Sequence, residues 1–222
     1  MFKKILVANR GEIAVRIIRA CKELSIPTVA IHSDVDADSM HVRLADESIC
    51  VGSHKPQNSY LNIAAIMSAA DVTGADAIHP GYGFLSENHR FAEIVTKNKI
   101  KFIGPSAEIM KKMGDKIQAK ITAKSLGLPV IEGSEGNINT LDEAKKISSV
   151  IGYPVLIKAA AGGGGKGMKL VKNEKELDTA LIMAKQEAKK YFSDDAVYIE
   201  KYFENPRHIE VQILSDKKTT IH

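Results

Sequence analysis

Short apolar strands alternate with amphipathic helices through the first half of the chain, and this alternation narrows the fold more than any other feature. An apolar run at residues 4–8 is broken by the polar turn Asn9-Arg10-Gly11, and apolar residues then recur at helical spacing between Ile13 and Leu24. The same pattern predicts later strands at 28–32, 49–52, 75–79 and 101–104, and later helices at 60–72 and 87–98. Strands joined by helices in this order form a parallel sheet with both faces covered. We therefore predict an α/β fold whose first domain spans residues 1–104.

The second half of the chain has a different order of elements. A Lys-rich helix is predicted over residues 106–126, with a break at Gly114-Asp115, and it makes residues 105–129 a helical connector. Further on, the pattern predicts strands at 153–159, 168–172 and 196–202 and a helix at 174–192. Polar and apolar side chains alternate with a period of two from His208 to Ile213, which predicts one more strand.

Composition limits the environment and the partners. Charged residues make up 26% of the 222 residues and hydrophobic residues 44%, as is typical of soluble globular proteins. The net charge of +4 (31 basic against 27 acidic residues) is too small and too scattered for a nucleic-acid surface. No apolar run is long enough to span a membrane, and the first one turns polar at Asn9, too early for a signal peptide. Cys21 and Cys50 lie in apolar settings and are predicted to be core residues. We expect a cytoplasmic protein without nucleic-acid or membrane partners.

A run of glycines, Gly162 to Gly165 with Gly167, resembles two phosphate-binding motifs but fits neither. The dinucleotide-binding pattern requires a helix after the glycines, whereas residues 168–172 form a predicted strand. A P-loop requires Gly at position 160 and Ser or Thr at position 167, where the chain has Ala160 and Gly167. The remaining interpretation is a hairpin whose glycine loop offers backbone N–H groups to a triphosphate, with a merely flexible turn as the alternative.

Lys158 ends the apolar strand that leads into the glycine run. A lysine in this position must reach either water or an anion, and phosphate is the anion expected beside such a loop. Because packing of the strand fixes its position, we predict that Lys158 contributes more to nucleotide binding than Lys166, which lies inside the glycine run.

Three other polar groups are candidate site residues, each with a plain structural alternative. His208 and Glu210 share one face of their predicted strand, but two metal ligands without a third are weak evidence for a metal site. Tyr82 and Glu87 follow a predicted strand, where open α/β sheets bind ligands, although loop packing explains them equally well. The pair Glu200-Lys201 is either an exposed strand pair or a group that pairs with a nucleotide base.

Six segments of the chain resemble the biotin carboxylases, in the same order as in that family. They are ILVANRGEIA at 5–14, HPGYGFLSEN at 79–88, FIGP at 102–105, MGDK at 113–116, KAAAGGGGKGM at 158–168 and EKYFENPRHIE at 200–210. Together they cover essentially the whole chain, and each is longer and more specific than a lone glycine motif.

The resemblance implies a Rossmann-like N-terminal domain with a parallel sheet, followed by an incomplete ATP-grasp domain. The ATP-grasp part would comprise a lid subdomain at residues 130–203 and the first strand of the large sheet, at 204–222. In the family, ATP activates bicarbonate to carboxyphosphate, and the carboxyl group then moves to biotin. The resemblance also implies Mg²⁺ ligands and catalytic residues that lie beyond this sequence, so the 222 residues alone are expected to be inactive.

Carried over by motif, the resemblance implies a set of ATP contacts: Lys116, Lys158, Gly164, Gly165, Glu200, Lys201, Tyr202, Phe203 and His208. It implies a pocket on the biotin side as well, with Tyr82, Glu87 and Glu210. The expected partners are bicarbonate, a biotinylated carrier protein, a carboxyltransferase component, as in acetyl-CoA carboxylase and fatty acid biosynthesis, and a second copy of the chain. Arg16, Arg19 and Glu23 on the first helix would contribute to that homodimer.

Two other functions remain open at this point. The chain could be a non-catalytic nucleotide-binding or assembly fragment, which turnover measurements would distinguish from an enzyme. It could also belong to another ATP-grasp ligase, such as a purine-pathway carboxylating enzyme, although the segments at 5–14 and 79–88 argue against this. The sequence does not identify the acyl-CoA or keto acid that is carboxylated downstream.

Overall fold

The computed structural model describes residues 1–160, 167–216 and 218–222, with only the backbone at Lys116. The described chain divides into two compact units, Met1–Asp115 and Lys116–His222. The first unit contains strands β1 to β5 and helices α1 to α5, and the second contains helices α6 to α8 and strands β6 to β10.

The first unit is built on a five-stranded sheet in the order β3-β2-β1-β4-β5, with all neighbouring strands parallel. Its strands are β1 (Ile5–Val7), β2 (Thr28–Ser33), β3 (Glu47–Gly52), β4 (Ala77–His79) and β5 (Lys101–Phe102). Its helices are α1 (Gly11–Glu23), α2 (Met40–Leu44), α3 (Ile63–Thr73), α4 (His89–Lys97) and α5 (Ala107–Gly114). The predicted alternation of strand and helix is confirmed, and α2 is a short helix that the pattern did not predict.

Helices cover both faces of this sheet, as predicted. Leu6 packs into one apolar cluster with Ile31 and Ile78, whereas its neighbours Ile5 and Val7 pack into another on the opposite face. Successive residues of a strand point to opposite faces, so a strand buried on both sides must be apolar throughout. This requirement explains the unbroken apolar run at the start of the sequence.

One core prediction is wrong. Cys21 is buried on α1, but Cys50 is exposed. Its strand, β3, lies at the edge of the sheet, and packing covers Val51 and part of Ile49 on the other side of the strand. An apolar run on an edge strand therefore does not bury every residue in it.

No helix among the described residues is long and apolar enough to cross a membrane.

The second unit is built on a three-stranded antiparallel sheet in the order β7-β6-β8. Its helices are α6 (Lys116–Ser125), α7 (Leu141–Ile151) and α8 (Glu174–Phe192), and its strands are β6 (Val155–Ala159), β7 (Met168–Val171), β8 (Val197–Lys201), β9 (Leu214–Ser215) and β10 (Thr220–Ile221). One face of the sheet packs on α7 and α8 through a buried cluster that includes Val155, Ile157, Val171, Val197 and Ile199. The opposite face, which α7 and α8 do not cover, is called the open face; there Lys120 of α6 reaches Glu200.

The segment at residues 132–138 is hydrogen-bonded along the outer edge of β8. The amides of Ser134 and Ile138 donate to the carbonyls of Ile199 and Val197. Helix α7, which the sequence analysis did not predict, follows this segment. It begins after Thr140, whose hydroxyl accepts from the amide of Glu143. The pattern Thr-x-x-Glu is an N-cap signal that the sequence contained.

The predicted strand at residues 208–213 does not form. Ile209 and Val211 are 78% and 65% exposed, and residues 202–213 have no strand pairing in the described chain. Only Leu214–Ser215 pairs, as β9 with β10. A strand needs hydrogen-bond partners along its edge, and alternation of side chains cannot supply them. The alternating pattern therefore marks a segment with one apolar side but does not by itself make a strand.

Candidate functional site

The open face of the second unit's sheet carries a group of polar and apolar side chains from all three strands. Lys158 on β6 lies directly opposite Tyr198 on β8, and Leu156 lies opposite Glu200. On the other side of β6, Lys158 lies opposite Met168. Because cross-strand partners point to the same face of a sheet, these side chains share the face that α7 and α8 leave uncovered.

A buried carboxylate joins two lysines on this face. Lys158 donates from its Nζ to Oε2 of Glu200 at 2.6 Å, and Lys120 on α6 donates to Oε1 at 2.9 Å. The Glu200 side chain is only 8% exposed, whereas both lysines remain about a quarter exposed, at 26% and 23%. We call these three residues the lysine–glutamate cluster.

The electrostatics of the lysine–glutamate cluster favour an anionic ligand. Burial by itself would raise the pKa of Glu200, but hydrogen bonds from Lys158 and Lys120 outweigh it and hold that pKa below its usual range. Glu200 is therefore ionised at neutral pH. Two ammonium groups against one carboxylate leave an excess of one positive charge on a partly exposed surface. A phosphate group is a suitable partner for that charge.

An apolar strip lies beside the cluster on the same face. Leu156 on β6 faces Leu170 on β7, and Met168 is the next residue along on that side of β7. Met168 and Leu170 are 41% and 39% exposed. An exposed apolar strip next to fixed ammonium groups suits a ligand that has a flat ring at one end and phosphates at the other. A nucleotide has this shape.

A cavity of about 890 Å³ adjoins the cluster on the side of α6. Lys120 and Tyr198 lie in its wall, together with apolar residues of α6 and of the neighbouring segments: Ile117, Ile121, Val130, Ile131, Val150 and Ile151. Tyr198 is almost fully buried, and burial followed by the nearby charge of Glu200 raises the pKa of its phenol. The cavity is large enough for a small molecule.

The three residues after Glu200 lie next to the cluster but differ in what they offer a ligand. Lys201 turns away: its Nζ donates to the carbonyl of Gly152 at 2.9 Å, and its amide donates to the carbonyl of Glu132. The amide of Tyr202 donates to the carbonyl of Pro154. Phe203 is half exposed, and no described residue accepts from its amide. Of these three amides, only that of Phe203 can therefore meet a base without breaking a bond.

The structure does not bring His208 or Glu210 to the cluster. Their side chains pair with each other at 3.0 Å and are 83% and 80% exposed, within the irregular segment after β8. Within the described ranges, no group of three or more potential ligands could hold a metal ion. A metal site at this pair has no support from the geometry.

For three further predicted ATP contacts, Lys116, Gly164 and Gly165, the structure describes no side-chain contact. Lys116 is the first residue of α6, four residues before Lys120. Gly164 and Gly165 lie outside the described residues, so their predicted contacts with phosphate remain predictions.

The predicted biotin-side residues Tyr82 and Glu87 belong to the first unit, in the loop after β4. Asn9 fixes this loop, since its Nδ2 donates to the carbonyls of Pro80 and Tyr82 at 2.7 and 2.8 Å. The Tyr82 hydroxyl donates to Glu12, and Glu87 is exposed. The loop is thus held against the turn after β1 by Asn9 and Glu12.

A second polar network in the first unit is satisfied internally. Arg10 donates to both carboxylate oxygens of Asp36 at 2.7 and 2.6 Å, and the hydroxyl of Tyr60 donates to the same carboxylate at 2.6 Å. These bonds, with Arg10 the strongest partner, hold the pKa of Asp36 well below its usual range. Every group in the network already has a partner, so we assign it a structural role at the carboxyl edge of the sheet.

Lys120 is a site residue that the sequence analysis missed. It lies on the Lys-rich helix, where Lys116, Lys120 and Lys124 recur every four residues and so fall on one side of α6. That spacing was visible in the sequence, but nothing local indicated that one of these lysines would reach Glu200, 80 residues later.

Comparisons with known proteins show which families the two halves of the chain match. Residues 1–110 match the family described as biotin carboxylase, N-terminal domain, and residues 115–222 match that described as carbamoyl-phosphate synthase L chain, ATP binding domain. Biotin carboxylase of Haemophilus influenzae is 55% identical over 97% of this chain and 48% of its own length. Biotin carboxylase 1 of Bacillus subtilis is 52% identical over 100% of this chain and 50% of its own length.

Solved structures give the same result. The biotin carboxylase–beta-gamma-ATP complex from Campylobacter jejuni superimposes with a TM-score of 0.94 at 51% identity, covering 100% of this chain and 50% of that one. The chain thus spans about half the length of these relatives. Over that length the parallel sheet and the smaller antiparallel sheet agree with both family matches: the chain carries a biotin carboxylase N-terminal domain followed by an ATP-binding domain, in the same order as in biotin carboxylases.

Proposed function

We propose that the whole protein encoded by the gene is a biotin carboxylase. It is called the full-length protein below. It would carboxylate biotin with bicarbonate, at the expense of ATP and through carboxyphosphate. The residues of this chain would bind the ATP. The observation that carries the proposal is the lysine–glutamate cluster beside the exposed strip formed by Leu156, Met168 and Leu170.

Each part of the open face has a proposed role. Lys158 binds a phosphate of ATP, since its ammonium is held by Glu200 and its side chain is still a quarter exposed. The adenine lies on the apolar strip and accepts a hydrogen bond from the Phe203 amide. Glu200 holds Lys158 in place; its two oxygens are already engaged by lysines, so we assign it this role ahead of direct recognition of adenine. Lys116, Gly164, Gly165 and His208 remain proposed ATP contacts, and Lys201 and Tyr202 are proposed to shape the adenine site through their backbone.

Mg²⁺ would accompany ATP, but the described residues do not fit a metal site. They contain no group of three or more metal ligands, and Mg²⁺ requires carboxylates together with phosphate oxygens. No step is therefore assigned to a metal held by this chain. What these residues do is bind and orient the nucleotide.

The remaining roles are also proposals. Tyr82, Glu87 and Glu210 are proposed to contribute to a pocket for biotin. The full-length protein would act in the cytoplasm as a homodimer, with a biotinylated carrier protein and a carboxyltransferase component as partners. The similarity to Haemophilus influenzae and Bacillus subtilis biotin carboxylases supports biotin as the group that is carboxylated, and the other roles are what the family resemblance implies.

Release of ADP by the purified full-length protein tests the proposed function. We expect ADP release with Mg²⁺ and ATP to require bicarbonate and to increase with free biotin, and we expect carboxybiotin to form in proportion. A comparison reaction without bicarbonate should fall to the background rate, and at subsaturating ATP the Lys158→Ala variant should be about ten- to a hundredfold slower. Nucleotide binding without turnover would indicate a non-catalytic nucleotide-binding protein. An ADP release rate that does not increase with biotin would indicate a different ATP-grasp ligase.

A further inference from the structure

Glu200 binds its two lysines with different oxygens, and the two lysines come from different elements. Oε1 accepts from Lys120 on α6, and Oε2 accepts from Lys158 on β6. A carboxylate has lone pairs for both bonds at once, so neither lysine excludes the other. Lys120 also lines the cavity beside the cluster, next to Gly133. It is therefore held at the site although it lies in a different helix.

The presence of Lys120 changes what Lys158 can do. With Lys158 alone, Glu200 would form a neutral pair, and a phosphate that attracts Lys158 would have to leave a buried carboxylate without a partner. An unpaired buried charge is costly. With Lys120 in place, Glu200 keeps one ammonium when Lys158 turns toward a phosphate. The pair of lysines also leaves one positive charge in excess.

We infer that Lys120 is a positioning residue for nucleotide binding: it neutralises Glu200 so that Lys158 is free to bind phosphate. This inference rests on the proposed function, because it assumes that the open face binds a nucleotide. It assigns Lys120 no contact with the nucleotide. Its effect passes through Glu200.

The chain contains a matched control for this role. Lys124 lies one turn further along α6 and pairs with Glu135 at 2.9 Å, the same distance as the Lys120–Glu200 pair. The two pairs differ in environment, since Lys124 and Glu135 are 68% and 87% exposed. Lys124 and Glu135 also line the cavity, but Lys124 bonds Glu135 and not Glu200, so replacing it removes the same charge from the same helix and leaves the hydrogen bonds of the cluster in place. Exposed pairs of this kind contribute little.

The test measures the Kd for ADP and the kcat of the full-length protein with four substitutions. Lys120→Met should weaken ADP binding about tenfold, which corresponds to about 1.4 kcal/mol. Lys120→Gln keeps a hydrogen-bond donor but loses the charge, and it should bind ADP as weakly as Lys120→Met. Lys120→Arg restores the charge and should return the Kd to within about threefold of the unchanged protein, while Lys124→Met should change it less than about twofold. At saturating ATP, kcat should stay within about threefold in all four, because the nucleotide once bound is positioned by Lys158.

The outcomes separate this inference from the proposed function. If the unchanged protein does not bind ADP, the proposed function fails and the inference fails with it. If it binds ADP but Lys120→Gln and Lys124→Met lose equally little affinity, only the inference is wrong. If Lys120→Met does not fold, the comparison of Lys120→Gln with Lys120→Arg decides in its place, because both are polar and good helix formers. Equal losses in those two variants would overturn a role for the charge.

Discussion

Replacing Lys158 with alanine should weaken binding of ATP to the full-length protein by about ten- to a hundredfold. A charge-assisted hydrogen bond to an anion contributes roughly 1.5–3 kcal/mol, and every 1.4 kcal/mol corresponds to a factor of about ten in affinity. Strand β6 fixes the backbone of Lys158 and Glu200 already holds its ammonium, so little ordering entropy is lost on binding. Titration calorimetry at fixed salt and fixed Mg²⁺ measures the change.

Lys169→Ala is the control for this prediction. Lys169 lies on β7 and pairs with Glu187 at 2.6 Å, and its side chain is 24% exposed, against 2.6 Å and 26% for Lys158. The difference is that Lys169 pairs with a residue of α8, on the covered face of the sheet. We expect Lys169→Ala to leave ATP affinity within about twofold. Equal losses in the two variants would mean that the nucleotide does not use the open face.

Replacing Glu200 with alanine should destabilise the second unit by roughly 3–5 kcal/mol. Removing one partner of a buried ionic group leaves the other charges uncompensated, and here two ammonium groups would remain beside a largely buried position. For a unit of this size, the loss should lower the Tm by about 10 °C or more. Thermal unfolding followed by circular dichroism measures it. The exposed carboxylate Glu135 provides the comparison, because Glu135→Ala removes a partner of Lys124 without a measurable change in Tm.

The same carboxylate gives this stability a pH dependence of known sign. The pKa of Glu200 is lowered in the folded chain, so its contribution is present above the ordinary pKa of a glutamate and is lost as the pH falls through the lowered value. The difference in Tm between the unchanged protein and Glu200→Ala should therefore be largest at neutral pH and should narrow in acid. A difference that is constant across this range would argue against an ionised Glu200.

The strands and helices of the first unit could be predicted from the sequence because their apolar patterns match the way each element is buried. Ile5, Leu6 and Val7 form an unbroken apolar run because helices cover both sides of their strand. Cys50 was misassigned because the sequence does not reveal that β3 lies at the edge of the sheet. Residues 208–213 were misassigned for a related reason, since their strand pattern lacks a partner in the described chain. Position in a sheet depends on long-range pairing, which short windows do not contain.

The site residues that could be predicted are charged residues near the ends of buried strands. Lys158 and Glu200 end or nearly end buried strands, so a charged group at either position called for a partner, and each is the partner of the other. The direction of Lys201 was not predictable, because its ammonium is held by the carbonyls of Gly152 and Tyr153 at the end of a helix that the sequence analysis missed. Lys120 was missed because its partner is distant in sequence. The family resemblance indicated that the ligand is a nucleotide, and the structure shows the surface that we propose binds it.

The central claim is that a nucleotide binds the open face of the second unit's sheet, and a crystal structure of the full-length protein with ADP tests it most directly. We predict the adenine against Leu156, Met168 and Leu170, with a phosphate oxygen within hydrogen-bond distance of Nζ of Lys158, about 2.7–2.9 Å for a charged pair. Glu200 should keep its bond to Lys120 in that complex. ADP bound elsewhere, for example at the carboxyl edge of the five-stranded sheet beside Tyr82, with Lys158 still paired only to Glu200, would contradict the account.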